Sequence, residues 1–201
     1  MRGRTIPSQW VLANLAGSSL GFGTFALLAH GLTSPHDEVH PTVAQMAAHG
    51  LGVLAAAAII GVGQRLVLDH HTRLRRWFIP ALSVSMTVAF LIGAYVLRPP
   101  LDFLFTYAAA GVTLELALTP TNTQSVREAA RRAAVTGLLF ATGSFVGMLA
   151  LSLVARAFAL RLGEPGEGVV RHMVTMGLGG LFIGAAVGLL SARRIAKRLA
   201  G

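Results

Sequence analysis

The chain contains no cysteine. Disulfides, thiolate-bound metals, iron–sulfur clusters and a cysteine nucleophile are therefore excluded. Acids are scarce too, with 8 Asp and Glu against 17 Lys and Arg, and only Lys197 among the bases is a lysine. Charged residues make up 12% of the chain, against roughly 25% in an ordinary soluble domain. Enzyme motifs are missing as well: there is no H-E-x-x-H, no G-x-x-x-x-G-K-[ST] and no dinucleotide fingerprint. Gly143-Ser144 and Gly17-Ser18-Ser19 lack the G-x-S-G of an intramembrane serine protease, and no histidine lies at matching depth to serve as base. An enzyme is the less favoured class, and no cofactor is expected.

What remains is 54% hydrophobic and falls into six long uncharged stretches. They lie at about 10–30, 43–64, 77–97, 102–120, 133–155 and 172–192. Each approaches the ~20 residues that cross a ~30 Å hydrocarbon core as a helix. The expected fold is all-α: one six-helix transmembrane bundle occupying residues 1–201 as a single domain. Pro41 should open the second span at a tolerated first-turn position, and Pro120 should close the fourth. Trp10 and Trp77 should act as interfacial anchors at the starts of spans one and three. Arg2 and Arg4 before an apolar run suggest a signal peptide, but the run from Trp10 to Ala29 exceeds the ~7–15 residues of an h-region. It reads as a retained first span.

Charge supplies the orientation. Basic residues gather in every second connection: Arg2 and Arg4; Arg65, Arg73, Arg75 and Arg76; Arg127, Arg131 and Arg132; Arg193, Arg194, Lys197 and Arg198. The other connections hold Arg98, Arg156, Arg161 and Arg171 against Asp37, Glu38, Asp102, Glu164 and Glu167. This is the positive-inside pattern, with both termini in the cytoplasm. The net charge of +9 is thus an orientation signal that also favours anionic lipid head groups at the cytoplasmic face; a nucleic-acid partner is not expected. The arginine bias fits GC-rich coding, and the chain reads as a multi-pass protein of a bacterial inner membrane.

Small residues recur every four positions. Ala13, Gly17 and Gly21 do so on span one, and Ala81, Ser85, Ala89 and Gly93 on span three. Gly143 and Gly147 lie on span five, and Gly180, Gly184 and Gly188 on span six. Such stripes let helices approach closely where lipid removes the hydrophobic drive to associate. An internal echo pairs Gly50-Leu51-Gly52…Gly61 with Gly177-Leu178-Gly179…Gly188, suggesting three repeated helical hairpins of the kind some transporters carry. The segment Gly61-Val62-Gly63-Gln64-Arg65-Leu66-Val67-Leu68, then a basic turn and Trp77, resembles small uncharacterised bacterial membrane proteins. In those, helical hairpins end in a G-x-x-Q-x-L-V-L-like segment and the next helix opens with Trp. That resemblance implies topology and no activity.

Ionisable and amide groups at membrane depth are candidate functional groups. Glu115 is the one acid inside a span, with Gly111 and Thr119 on its face at i−4 and i+4. Asn14 and Gln64 reach a similar depth from spans one and two. The functional reading makes Glu115, Gln64 and Asn14 a cytoplasm-facing substrate-binding pocket, with Glu115 proton- or cation-linked. The structural reading pairs Glu115 with an arginine such as Arg65, while Asn14 and Gln64 hydrogen-bond between helices. On the outer side, His30, His36, His40, His49 and His172 are the candidate metal ligands, but no complete site is expected from them. Two function classes stand beside each other: a small-solute or ion transporter or substrate-binding membrane subunit, and a non-catalytic accessory subunit held to other membrane subunits, or to itself, through its glycine stripes.

Overall fold

The computed structural model describes residues 6–31, 42–72, 74–97, 101–119, 125–157 and 169–200. They form α1 (Ile6–Gly31), α2 (Val43–Leu68), α3 (Phe78–Ile92), α4 (Leu101–Leu118), α5 (Val126–Ala157) and α6 (Val169–Ala200). A π-helical turn, Gly93–Leu97, extends α3. No strand occurs among the described residues. Each of the six helices is long and apolar enough to cross a membrane.

The helices reach further than the apolar runs. α5 begins at Val126 rather than 133, and α6 continues to Ala200 rather than 192. Hydropathy marks where lipid ends, not where helical hydrogen bonding ends. Val126–Ala133 and Ala192–Ala200 are rich in alanine and arginine, both good helix formers. At 32 residues each, α5 and α6 span about 48 Å, so their basic turns stand clear of a ~30 Å core. α2 starts one residue after Thr42, whose hydroxyl accepts from the Gln45 amide while the Gln45 side chain accepts from the Thr42 amide. That capping box satisfies two otherwise orphaned donors. Pro41 and Pro120 lie outside the described residues.

Every helix packs against its neighbours in the chain, and α6 closes back on α1, giving a ring of six antiparallel neighbours. The start of α1 and the end of α6 are therefore at one end of the bundle, together with the starts of α3 and α5 and the ends of α2 and α4. We call it the basic end. Its centre is filled by side chains. Phe22 stacks on Phe103 and Tyr107 across the ring, and Phe25 meets Phe90 edge-on. The residual cavity among these rings holds about 30 Å³, room for about one water. The outside is apolar: Leu20, Leu138 and Leu189 are each about two-thirds exposed, as a lipid-facing surface requires.

Glycines set the tightest seams. A Cβ on Gly143 would lie 2.6 Å from the Val187 Cα, and one on Gly184 would strike the Asn14 carbonyl. These α5–α6 and α1–α6 contacts are backbone against backbone, as the four-residue stripes predict. On α3 the stripe departs from that pattern. Leu82, Met86 and Phe90 form its buried face, while Ala81, Ser85 and Ala89 are half-buried. Large side chains fill the wider interior there, and only Gly93, against Asp102, makes a backbone seam.

Candidate functional site

Glu115 sits on α4 one turn from its end, and the Thr119 hydroxyl donates to the Glu115 carbonyl to finish that turn. One turn earlier, Gly111 lies so close to α5 that a Cβ there would be 2.5 Å from the Thr136 carbonyl oxygen. The missing side chain at Gly111 is what lets Thr136 reach Glu115. The Thr136 hydroxyl donates to Glu115 Oε2 at 2.8 Å and accepts from Arg194 Nε at 2.8 Å. Arg194 Nη2 stands 3.8 Å from the same carboxylate oxygen and donates to the Arg132 carbonyl. Arg198 Nε approaches Glu115 Oε1 at 3.3 Å, in ion-pair range but without hydrogen-bond geometry.

The Glu115 side chain is 1% exposed, yet it forms the floor of an open groove of about 490 Å³. Arg132, Arg193, Arg194, Lys197 and Arg198 surround it, and Leu139 and Leu190 line the side toward lipid. Arg132 also pairs with Glu128. Five cations less these two carboxylates leave three positive charges in the groove's wall. Arg198 Nη2 is buried without a hydrogen-bond partner. A buried guanidinium donor without an acceptor is uncommon and asks for an anionic one.

Asn14 and Gln64 are each 1% exposed and bonded to one another, Gln64 Nε2 donating to Asn14 Oδ1 at 2.9 Å. Asn14 Nδ2 donates to the Trp10 carbonyl. Trp10 Nε1 donates to Ser191 Oγ at 2.8 Å, and Ser191 Oγ donates to the Val187 carbonyl at 2.6 Å. This second network ties α1, α2 and α6 together. Gln64 Oε1 is its one buried atom without a partner. Among the described residues no hydrogen bond joins it to the Glu115 set, and it does not line the groove. The two networks share only α6, where Ser191, Arg194 and Arg198 fall on one face at i, i+3 and i+7.

Two expectations are corrected. Arg65 does not pair with Glu115; it bonds to Asp69 at 2.9 Å, and α6 supplies the arginines instead. α2 and α4 are not neighbours in the ring; α3 lies between them. Trp10 is not an interfacial anchor: it is fully buried, because its indole N–H finds Ser191 and its ring fills the α1–α6 seam. Trp77 is 39% exposed, with the Arg75 guanidinium 5.6 Å from its ring centroid, and it fits the anchor reading.

Of the histidines, His36 and His40 lie outside the described residues, and the side chain of His30 is not described. His49 Nδ1 is 2.8 Å from the Tyr95 hydroxyl, between the rings of Phe25 and Phe90. His172 is half-buried near the start of α6. Among the described residues no three His, Asp or Glu side chains converge as metal ligands.

Thr136, Ser191, Arg194 and Arg198 are partners that depth and charge alternation do not single out; the i, i+3, i+7 spacing of the α6 arginines with Ser191 is the available signal. No family model, no curated protein and no solved structure matches the chain.

Proposed function

We propose that this multi-pass membrane protein is a substrate-binding membrane subunit of the transport class. In this reading it sits in a bacterial inner membrane with its basic end in the cytoplasm, and its ligand is a small anion entering the groove above Glu115. The observation that carries the proposal is the composition of that groove: five cationic side chains around one buried carboxylate, with a guanidinium donor left unbonded. A cation is disfavoured there by like charge at short range. Arg193, Arg194, Lys197 and Arg198 are the binding groups. Glu115 is a positioning residue: through Thr136 and by direct ion pairing it holds Arg194 and Arg198 on the groove's wall. Asn14 and Gln64 pin α1 to α2 and take no part in binding.

The accessory-subunit reading draws on a different observation, the closed centre of the ring. The cavity of about 30 Å³ among the described residues at the ring's centre is too small for a solute, so passage there would need either helix movement or a partner subunit.

The test is a thermal-shift titration of detergent-purified protein with inorganic phosphate, against chloride at equal ionic strength. Phosphate should raise the melting temperature of the wild type with saturation. Lys197→Gln, at an exposed position, should leave the ligand-free melting temperature within error. It should weaken the phosphate effect by about tenfold in concentration, the worth of one charge-assisted hydrogen bond. A phosphate response no larger than that to chloride would remove the anion reading and favour the accessory subunit.

A further inference from the structure

A second concavity lies on the opposite side of α1, between α1 and α2, on the face the ring turns outward. It is a trough of about 720 Å³. Its floor is made of small residues, Ala13, Gly17 and Gly63, because the two helices meet there almost backbone to backbone: a Cβ on Gly63 would stand 3.2 Å from the Ala13 carbonyl oxygen. Its walls are Leu12, Leu20, Val62 and Leu66, each between 44% and 65% exposed. One end is different. Gln9, His70 and His71 close the trough at the basic end.

We propose that this trough holds one phospholipid from the leaflet at the basic end, an acyl chain along the small-residue floor and the phosphate against His70, His71 and Gln9. Three observations select this occupant. The trough runs from Gln9 to Leu20, eleven helical rises or about 16 Å, close to the ~15 Å depth of one leaflet. A partner helix would need a seam crossing both leaflets; this one stops near the middle of α1. The polarity changes sharply from hydrocarbon walls to hydrogen-bonding groups at the depth where a lipid changes from chain to head group. The chemistry of the mouth also fits. His70 Nδ1 lies 2.7 Å from the Leu66 carbonyl, which only accepts, so Nδ1 carries the hydrogen; Nε2 then accepts from a head-group hydroxyl in the neutral ring and donates to the phosphate in the imidazolium.

Native mass spectrometry of the full chain in mild detergent tests this. Wild type should retain one phospholipid per monomer. Ala16 is exposed at the trough's edge, so Ala16→Phe should fill the trough without disturbing helix packing. Displacing about two methylenes of chain should lower lipid retention by about tenfold. His70→Ala with His71→Ala should keep binding but lose the preference for phosphatidylglycerol over a neutral glycolipid added back to delipidated protein. Ala16→Phe should keep the phosphate-induced thermal shift, which verifies its fold and separates this proposal from the groove at Glu115. Equal lipid retention in wild type and Ala16→Phe would overturn the proposal, as would lipid-free wild type. A dimer that Ala16→Phe dissociates would overturn it too, assigning the trough to a second copy of the chain.

Discussion

Glu115 illustrates how far a single residue can be read. Its depth, away from either end of the span, is visible in the sequence, and so is the need for a partner, because a bare carboxylate in hydrocarbon is too costly. Which arginine answers is not visible: α4 and α6 are not neighbours in the ring, and Arg194 and Arg198 reach Glu115 past α5. Replacing Glu115 with Gln leaves Arg194 and Arg198 without their counter-charge. Breaking a fully buried pair costs about 3–5 kcal/mol. Since these guanidiniums are 30% and 23% exposed, water screens them, and the expected loss is about 1–3 kcal/mol. Denaturant titration in detergent reads it. Glu115→Asp should recover most of the phosphate affinity that Glu115→Gln loses, a rescue that a merely structural role would not produce.

Asn14 and Gln64 give the complementary case. Their similar depth was legible, and they do bond to one another. The sequence left a shared pocket and a separate interhelical hydrogen bond both open, since depth says nothing about which side of a helix faces which neighbour. Gln64→Leu should cost about 1 kcal/mol by leaving Asn14 Oδ1 unpaired. The same variant should leave the phosphate-dependent thermal shift unchanged. A lost phosphate response in a folded Gln64→Leu protein would return both amides to the binding site.

At the scale of elements, the small-residue stripes carried most of the packing information. On α6, Gly180, Gly184 and Gly188 all face α1. Gly184→Val would push a branched side chain into the Asn14 backbone, which cannot withdraw as a flexible side chain can. Overpacking commonly costs about 1–3 kcal/mol, and a backbone obstacle places this variant at or above the upper end. The expected result is loss of monodisperse protein on size exclusion, while Leu189→Val, at a lipid-facing neighbour, should elute normally. Helix ends were less legible. Hydropathy could not reveal that α5 and α6 run on as basic helical turns, because arginine and alanine leave the apolar pattern without leaving the helix. Those extra turns are what build the groove, for Arg132 and the four cations of α6 from Arg193 to Arg198 all lie on or beside them.

For the whole molecule, alternation of charge pointed to six crossings with the two ends on one side, and the six helices are each long and apolar enough to cross a membrane. The order of helices around the ring had no signature in the sequence. Nor did the filled centre, which depends on Phe22, Phe25, Phe90, Phe103 and Tyr107 arriving from three helices at one level. The central claim is that an anion binds at the basic end and that this end faces the cytoplasm. Its most direct measurement is the binding of radiolabelled phosphate to membrane vesicles of known sidedness carrying the full chain. The account predicts saturable binding to inside-out vesicles, where the cytoplasmic face meets the medium, and none above background to right-side-out vesicles. Saturable binding from the right-side-out face, or none from either face, would contradict it.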